Sequence, residues 1–277
     1  MLALHPRVVD VVWEVVAPLL PSRPPTRHPL GCHRRRIPDR LCFEAILFRL
    51  VTGCSWDVAG RLGRGSETTL RSRRDEWTAA GVFDRMAAEA IEAYDRRIGL
   101  DLGDVTIDAS VHKAPTGGPG TGPNPTDRGK LGWKWSLATD ADGIPLGWVA
   151  DAANRHDSRL LAPTLDVITD DGWVDGIGTL HLDRGYDYPV CRADCQHHGI
   201  PSLEVAARRP KGQGTTKQPI ALGKRWAAER TNSWLSNYGQ LRRNTDRHPE
   251  HRLAQFALAV SVILIIKLIK HADRQHP

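Results

Sequence analysis

The stretch DVTIDAS, residues 104–110, decides how the rest of the chain reads. Its apolar and polar side chains alternate with the period of a strand, and that strand is expected to end on Asp108. A second short run, TLHLD (179–183), also ends on an acid, Asp183. Between them GWKWSLATD and IPLGWVADAA read as two strands joined by a tight turn at 140–143, followed by a helix, SRLLAPTLDVI, that Asp157-Ser158 can cap. Past Asp183 come a helix through VCRADCQHHG, a strand in PSLEVAA, a basic loop over 208–224 and a long helix starting near Lys224. Strands alternating with helices make an α/β sheet, and clefts open at the carboxyl ends of its strands, where both Asp residues fall.

The first hundred residues read as helical. A short amphipathic helix, Val8 to Val16, stops at Pro18, and the Pro- and Arg-rich stretch 21–38 is too polar to pack as a regular element. Asp39 stands at an N-cap position before LCFEAILFRLVTG, which Gly53 ends. A short helix follows toward Gly63, and Ser66 caps SETTLRSRRDEWTAAG, which closes on Gly81. Two helices joined tightly, the second carrying Arg71, Arg73 and Arg74, have the outline of a helix-turn-helix, though many helical hairpins carry arginines as a solvated face. The expected division is a helical DNA-binding domain over 1–100 and a catalytic domain over 101–277.

The formal net charge is +6, and it is unevenly spread. Residues 23–74 hold 12 Arg against 4 acids, a balance of +8. Residues 101–203 hold 8 basic against 15 acidic residues, −7, and 204–252 hold 11 against 4, +7. Two basic blocks around an acidic centre suit a protein that grips a polyanion and keeps a metal site between the grips. Five cysteines at uneven spacing and an N-terminus unlike a signal peptide point to the cytoplasm, with association with the nucleoid when DNA is bound. The longest apolar run, Leu253–Ile269, is broken by Gln255, Ser261 and Lys267 and reads as a buried helix, with no membrane partner expected.

Two strand-end carboxylates are the hard oxygen ligands that metal-assisted phosphoryl transfer uses. Beyond Asp183 the glutamates are Glu204, Glu229 and Glu250. Glu229 lies in a basic helical segment beside Arg225 and Arg230, which suits a ligand working next to phosphates. Each acid also has an ordinary explanation, as a strand-end cap or an ion pair one helical turn away.

The segments TIDAS, GTGPNPTDRGK, LATDADGIPLG, ANRHDSRLL, LDRGYD and RWAAERTNSWL, in this order, resemble the DDE transposases of bacterial insertion sequences, in particular the "insertion sequence 5" group. LLPSRPP, AILFRLVTGCSWDVAGRLG and RRDEWTAAGVFDRM resemble that group's leading helical domain, so the likeness covers nearly the whole chain. It implies an RNase H-like mixed sheet with flanking helices, preceded by a small all-α domain. It also implies a catalytic, metal-binding triad at Asp108, Asp183 and Glu229, holding two Mg²⁺ for which Mn²⁺ can substitute. The implied partners are double-stranded DNA, as terminal inverted repeats and target, and further copies of the chain as a homodimer or larger assembly. Cleavage at the element's ends and strand transfer are the implied reaction. A nuclease without strand transfer and a degenerate, DNA-binding descendant are the rivals. Lys113, Arg184, Lys224, Arg225, Arg230, Arg242 and Arg243 join Arg71, Arg73 and Arg74 as candidate DNA contacts. Where the group carries Tyr and Lys around its Glu, this chain has Leu222 and Ser236.

Smaller constellations have plainer readings. Cys191, Cys195, His197 and His198 are metal-ligand types, but cysteines one turn apart on a helix fit a buried face better than zinc. Trp133 and Trp135 share a strand face and read as core. Trp226 and Trp234 are expected to pack their helix onto the sheet. His112 could meet DNA from the loop side, and Tyr186 could touch a frayed end base.

Overall fold

The computed structural model describes residues 4–22, 36–61, 65–206 and 226–275. In chain order it contains α1 (Pro6–Val16), α2 (Asp39–Thr52), α3 (Trp56–Ala59), α4 (Glu67–Ala79) and α5 (Val82–Arg97). Strands β1 (Asp104–Lys113), β2 (Gly122–Pro123), β3 (Leu131–Thr139) and β4 (Pro145–Ala152) follow, then α6 (Leu161–Asp170), β5 (Thr179–Leu182), α7 (Pro189–His197) and β6 (Leu203–Val205). Helices α8 (Trp226–Ser236), α9 (Gly239–Arg242) and α10 (Pro249–Gln275) complete the order. The chain divides into two compact units, residues 1–93 with 237–244 and 250–277, and residues 94–236 with 245–249. Beyond residues 1–93 the helical unit takes in α9 and nearly all of α10, while residues 94–100 fall in the second unit.

In the helical unit Ser66 caps α4, its Oγ accepting from the Thr69 amide at 3.3 Å. The residue before α2 is Pro38, so Asp39 is the helix's first residue rather than its cap, and its carboxylate bonds to Arg36 and Arg73. Gly53 ends α2 in the left-handed region (φ 74°), where a side chain is strained. There α9 lies on the end of α2 so closely that a Cβ on Gly53 would sit 2.9 Å from the Gly239 carbonyl carbon. Three of the unit's cations are internal. Arg49 stacks over Trp56 at 4.2 Å, and Arg74 lies over the same ring at 5.2 Å. Arg73 is 3% exposed and pairs with Asp39, with Glu76 at 3.9 Å. Helix α10 is long and apolar enough to cross a membrane, but two thirds of its apolar window (67%) is buried, which is the pattern of a core helix.

The second unit is built on a mixed sheet in the order β4-β3-β1-β5-β6, with β2 as a two-residue rung on β3. Strand β1 runs antiparallel to β3 and parallel to β5, β5 parallel to β6, and β3 antiparallel to β4. Strand β1 continues five residues past Asp108 because β3 pairs with it as far as Lys113↔Gly132. On one face Val105, Ile107, Ala138, Leu180 and Leu182 form a core with Leu161, Leu165 and Ile168 of α6 and the cysteines of α7. On the other face α8 packs against β1 and β3. One antiparallel strand within an otherwise parallel sheet, helices on both faces, is the RNase H-like arrangement expected from the sequence.

Two outcomes are expected. Gly239→Ala should destabilise the protein by about 1–3 kcal/mol, as overpacking does. Gly199→Ala, in open space at φ 72°, should cost only about 1–2 kcal/mol from the left-handed backbone. Urea unfolding measures both, and a neutral Gly239→Ala would contradict the close approach. Arg73→Ala should cost roughly 1.5–3 kcal/mol by removing charged hydrogen bonds from a buried site. Arg71→Ala, exposed and paired with Glu67 one turn away, should cost under about 0.5 kcal/mol.

Candidate active site

Two acids meet at the sheet because of one register. In the parallel pair, Ile107 stands opposite Leu182, so Asp108 and Asp183 are each the next residue beyond that pair. Neighbouring residues of parallel strands project to the same face, so the two carboxylates stand side by side. Asp183 leaves the strand at once: its Oδ1 accepts from the Gly185 amide at 2.6 Å and opens a short 3₁₀ turn over Arg184–Tyr186. A Cβ on Gly185 would lie 2.7 Å from Asp183 Oδ1 and 3.6 Å from Asp157 Oδ2. A side chain at position 185 would thus require the Asp183 carboxylate to shift away from the Gly185 amide it accepts from.

The opposite wall is α8. Asn232 donates from Nδ2 to Asp108 Oδ2 at 2.9 Å and accepts at Oδ1 from the Trp135 indole N–H at 2.7 Å. Glu229 lies one helical turn before Asn232, on the exposed edge of the helix next to that bonded face. The helix is also tied to the β3–β4 turn, where Thr231 Oγ1 donates to the Gly143 carbonyl at 2.5 Å and Arg230 to that of Asp142. Ser236, two turns beyond Glu229, turns its hydroxyl inward to the Asn232 carbonyl at 2.6 Å and presents no cation.

A third aspartate joins the pair. Burial first, and then the nearby carboxylates of Asp157, Asp108 and Asp183, push the Tyr186 phenol well above its ordinary range. Its hydroxyl is therefore neutral and lies within electrostatic reach of all three acids. Asp157, expected only as a helix cap, instead takes an ion pair from the buried Lys134, whose Nζ also donates to the Arg155 carbonyl at 2.7 Å. His156 caps only the 3₁₀ turn over Asp157–Arg159, accepting from the Ser158 amide, and α6 starts after Leu160 with no side-chain cap. Like-charged oxygens crowded beside one another favour a cation between them, and hard carboxylate oxygens fit a small divalent ion. Among the described residues no three acidic, His or Cys side chains already converge closely enough to enclose one. Asp108 and Asp183 fit as the core of such a site, and Glu229 would supply the third oxygen ligand from α8.

The candidate DNA-binding residues separate by burial. Arg71 is exposed and pairs with Glu67, whereas Arg73 and Arg74 are buried in ion pairs and against Trp77 and Trp56. Helix α4 thus offers one outward cation of the three, because the other two hold the helical unit together. Lys113 is exposed, 3.7 Å from Asp127, and Arg184 is exposed beside Asp183. Arg230 is held between Trp226 and Trp234, at 4.3 and 4.9 Å. Arg242 and Arg243 are exposed in the helical unit. Lys224, Arg225, Leu222 and the basic loop lie outside the described residues.

Several aromatic expectations change. Trp226 is 51% exposed, so it stacks on Arg230 instead of packing α8 onto the sheet. Tyr186 is 1% exposed and cannot meet a base as it stands. Trp133 and Trp135 are core, as expected, and His112 stacks on Trp135 at 3.7 Å. Burial takes His112 down to about 3, so it stays neutral and does not act as a cation for DNA. Cys191 and Cys195 are buried, and burial pushes the Cys195 thiol up to about 12, a poor metal ligand.

Residues 8–87 match a family model described as IS4/5-family transposase, and residues 101–265 match the transposase DDE domain. The transposase assigned to insertion element IS402 of Burkholderia cepacia is 36% identical over 140 residues, 48% of this chain and 63% of that relative. An uncharacterised 16.2 kDa protein of the same element is 31% identical over 121 residues, 43% of this chain and 82% of its own length. The chain thus spans less than two thirds of the first of these relatives. Among solved structures, a pre-cleavage Mos1 transpososome aligns at a TM-score of 0.29 with 10% identity, over 89% of this chain and 82% of the other. The Mos1 mariner paired-end complex with Mn aligns at 0.29 with 12% identity, over 88% and 82%. With its DDE-domain match covering more than half of the sequence, behind an IS4/5-type helical region, the chain belongs to the DDE transposases of bacterial insertion sequences.

Proposed function

We propose that this protein cuts DNA at the terminal inverted repeats of its element and joins the freed ends to target DNA. The reading rests above all on the β1–β5 register that sets Asp108 beside Asp183. Asp108, Asp183 and Glu229 would hold divalent ions, two Mg²⁺ with Mn²⁺ able to substitute. Bound there, such ions lower the barrier to attack at phosphorus by activating the attacking oxygen and neutralising the phosphate. The protein's own part is positioning. Asn232 orients Asp108, the Gly185 amide fixes Asp183, and α8 carries Glu229 on the edge adjoining Asn232. Both cleavage and strand transfer are in-line displacements, so a single carboxylate set serves both.

Double-stranded DNA is the proposed partner, bound by a homodimer or larger assembly in the cytoplasm. Arg71, Lys113 and Arg184 are the proposed phosphate contacts among the described residues, with Lys224 and Arg225 added from the basic segment before α8. A second reading, a copy that binds DNA without cutting it, is favoured by one observation: Ser236 back-bonds into its own helix where the related group has a lysine.

Asp108→Asn should abolish Mg²⁺-dependent nicking of a duplex carrying the element's end and leave gel-shift binding intact or slightly stronger. Wild-type nicking by the variant would remove Asp108 from the mechanism. A wild type that never nicks with Mg²⁺ or Mn²⁺ would favour the binding-only reading. For DNA contact, Arg71→Ala should make the slope of log K against log salt shallower by about 0.9, one phosphate contact. In protein that remains folded, Arg73→Ala should leave that slope unchanged. The reverse pattern would return the buried arginine to the DNA.

A further inference from the structure

We infer that Asn232 is a positioning residue for Asp108, and that the indole of Trp135 keeps its amide the right way round. The inference rests on the reading of Asp108 as a metal ligand and adds to it a relay of three side chains. Trp135 Nε1 is a donor only, so whichever amide atom faces it must be the oxygen. With Oδ1 committed to Trp135 at 2.7 Å, Nδ2 faces Asp108 Oδ2 at 2.9 Å as a donor, which is what an ionised carboxylate requires. The reversed amide would set oxygen against the carboxylate and NH₂ against an N–H, losing both bonds. Trp135 cannot turn away to relieve this. It is fully buried, lies against His112 at 3.7 Å and meets Trp133 edge-on at 5.2 Å. Asn232 itself is 7% exposed, so water competes little for either bond.

The relay spans three elements. Trp135 is on β3, Asp108 on β1 and Asn232 on α8, so orienting one carboxylate also sets the rotation of α8 about its axis. Glu229 shares that helix one turn away. Partners that hydrogen-bond a metal ligand hold it in its binding orientation, and their loss weakens metal affinity by about ten- to a hundredfold.

The test uses the full-length protein without DNA and Mn²⁺ as the probe, following free Mn²⁺ by electron paramagnetic resonance and the fold by circular dichroism. Asn232→Leu keeps the shape of the side chain and removes its donor and acceptor. It should weaken Mn²⁺ binding by about tenfold or more. Trp135→Phe should weaken it in the same direction by less, and the double variant should be no weaker than Asn232→Leu alone, because both changes cut one relay. Should Asn232→Leu not fold, Trp135→Phe carries the test by its own, smaller loss of Mn²⁺ affinity. The inference is overturned if Mn²⁺ affinity is unchanged in folded variants while Asp108→Asn loses it, or if the two single effects multiply. If Asp108→Asn binds Mn²⁺ like the wild type, the ligand reading fails first and the relay with it.

Discussion

Strand β1 is hydrogen-bonded on both sides, antiparallel to β3 and parallel to β5, and the positions of Asp108 and Asp183 follow from that double pairing. A one-residue slip against β5 would turn Asp183 to the opposite face from Asp108, because side chains along a strand alternate. The slip is blocked by the packing beneath: Val105 and Ile107 pair with Leu180 and Leu182, and all four are buried against α6 and α7. Burial of that apolar face contributes the energy, and the acids inherit their location from it.

Directed polar groups tie helix α8 to this sheet. Asn232 reaches Asp108 and Trp135, Thr231 reaches the Gly143 carbonyl, and Arg230 reaches that of Asp142. Hydrogen bonds in a dry setting are directional, so they specify the rotation of a helix where a greasy interface would tolerate several. Such attachment places Glu229 on a defined edge of α8. The neighbouring side, with Trp226 and Trp234 around Arg230, stacks on itself and leaves an indole half in solvent.

The basic character of the helical unit divides into two populations. Arg49, Arg73, Arg74 and Arg252 are all at most 5% exposed. A guanidinium tolerates such burial when it can stack on an indole and pair with a carboxylate at once, as Arg74 does with Trp56 and Asp75. Arg49, Arg73 and Arg74 count toward the +8 of residues 23–74, and Arg252 toward the +7 of 204–252, yet these buried charges offer little to a polyanion. Arg71, one residue along α4 from a solvated serine, keeps its charge outside.

Much of this protein is legible in the sequence. The alternation in DVTIDAS, the apolar TLHLD, the turn at 140–143 and the Ser66 cap each specify an element through local chemistry, because side-chain periodicity and backbone capping act within a few residues. The order of motifs also announces the family, and with it the proposed triad of Asp108, Asp183 and Glu229. Other features required the folded chain. Strand β1 outruns Asp108 because a partner strand 20 or so residues on keeps pairing with it, and pairing is a property of two segments. Arg73 and Arg74 look like a DNA-facing patch until Asp39, Trp56 and Trp77 close over them. Asn232 carries no signal beyond its three-residue spacing from Glu229. Its role depends on Asp108 and Trp135, 124 and 97 residues away, being brought to either end of one amide. Local sequence determines which elements form, and long-range packing decides which polar side chains face each other, because a hydrogen bond exists only where the fold has removed the water and supplied the partner.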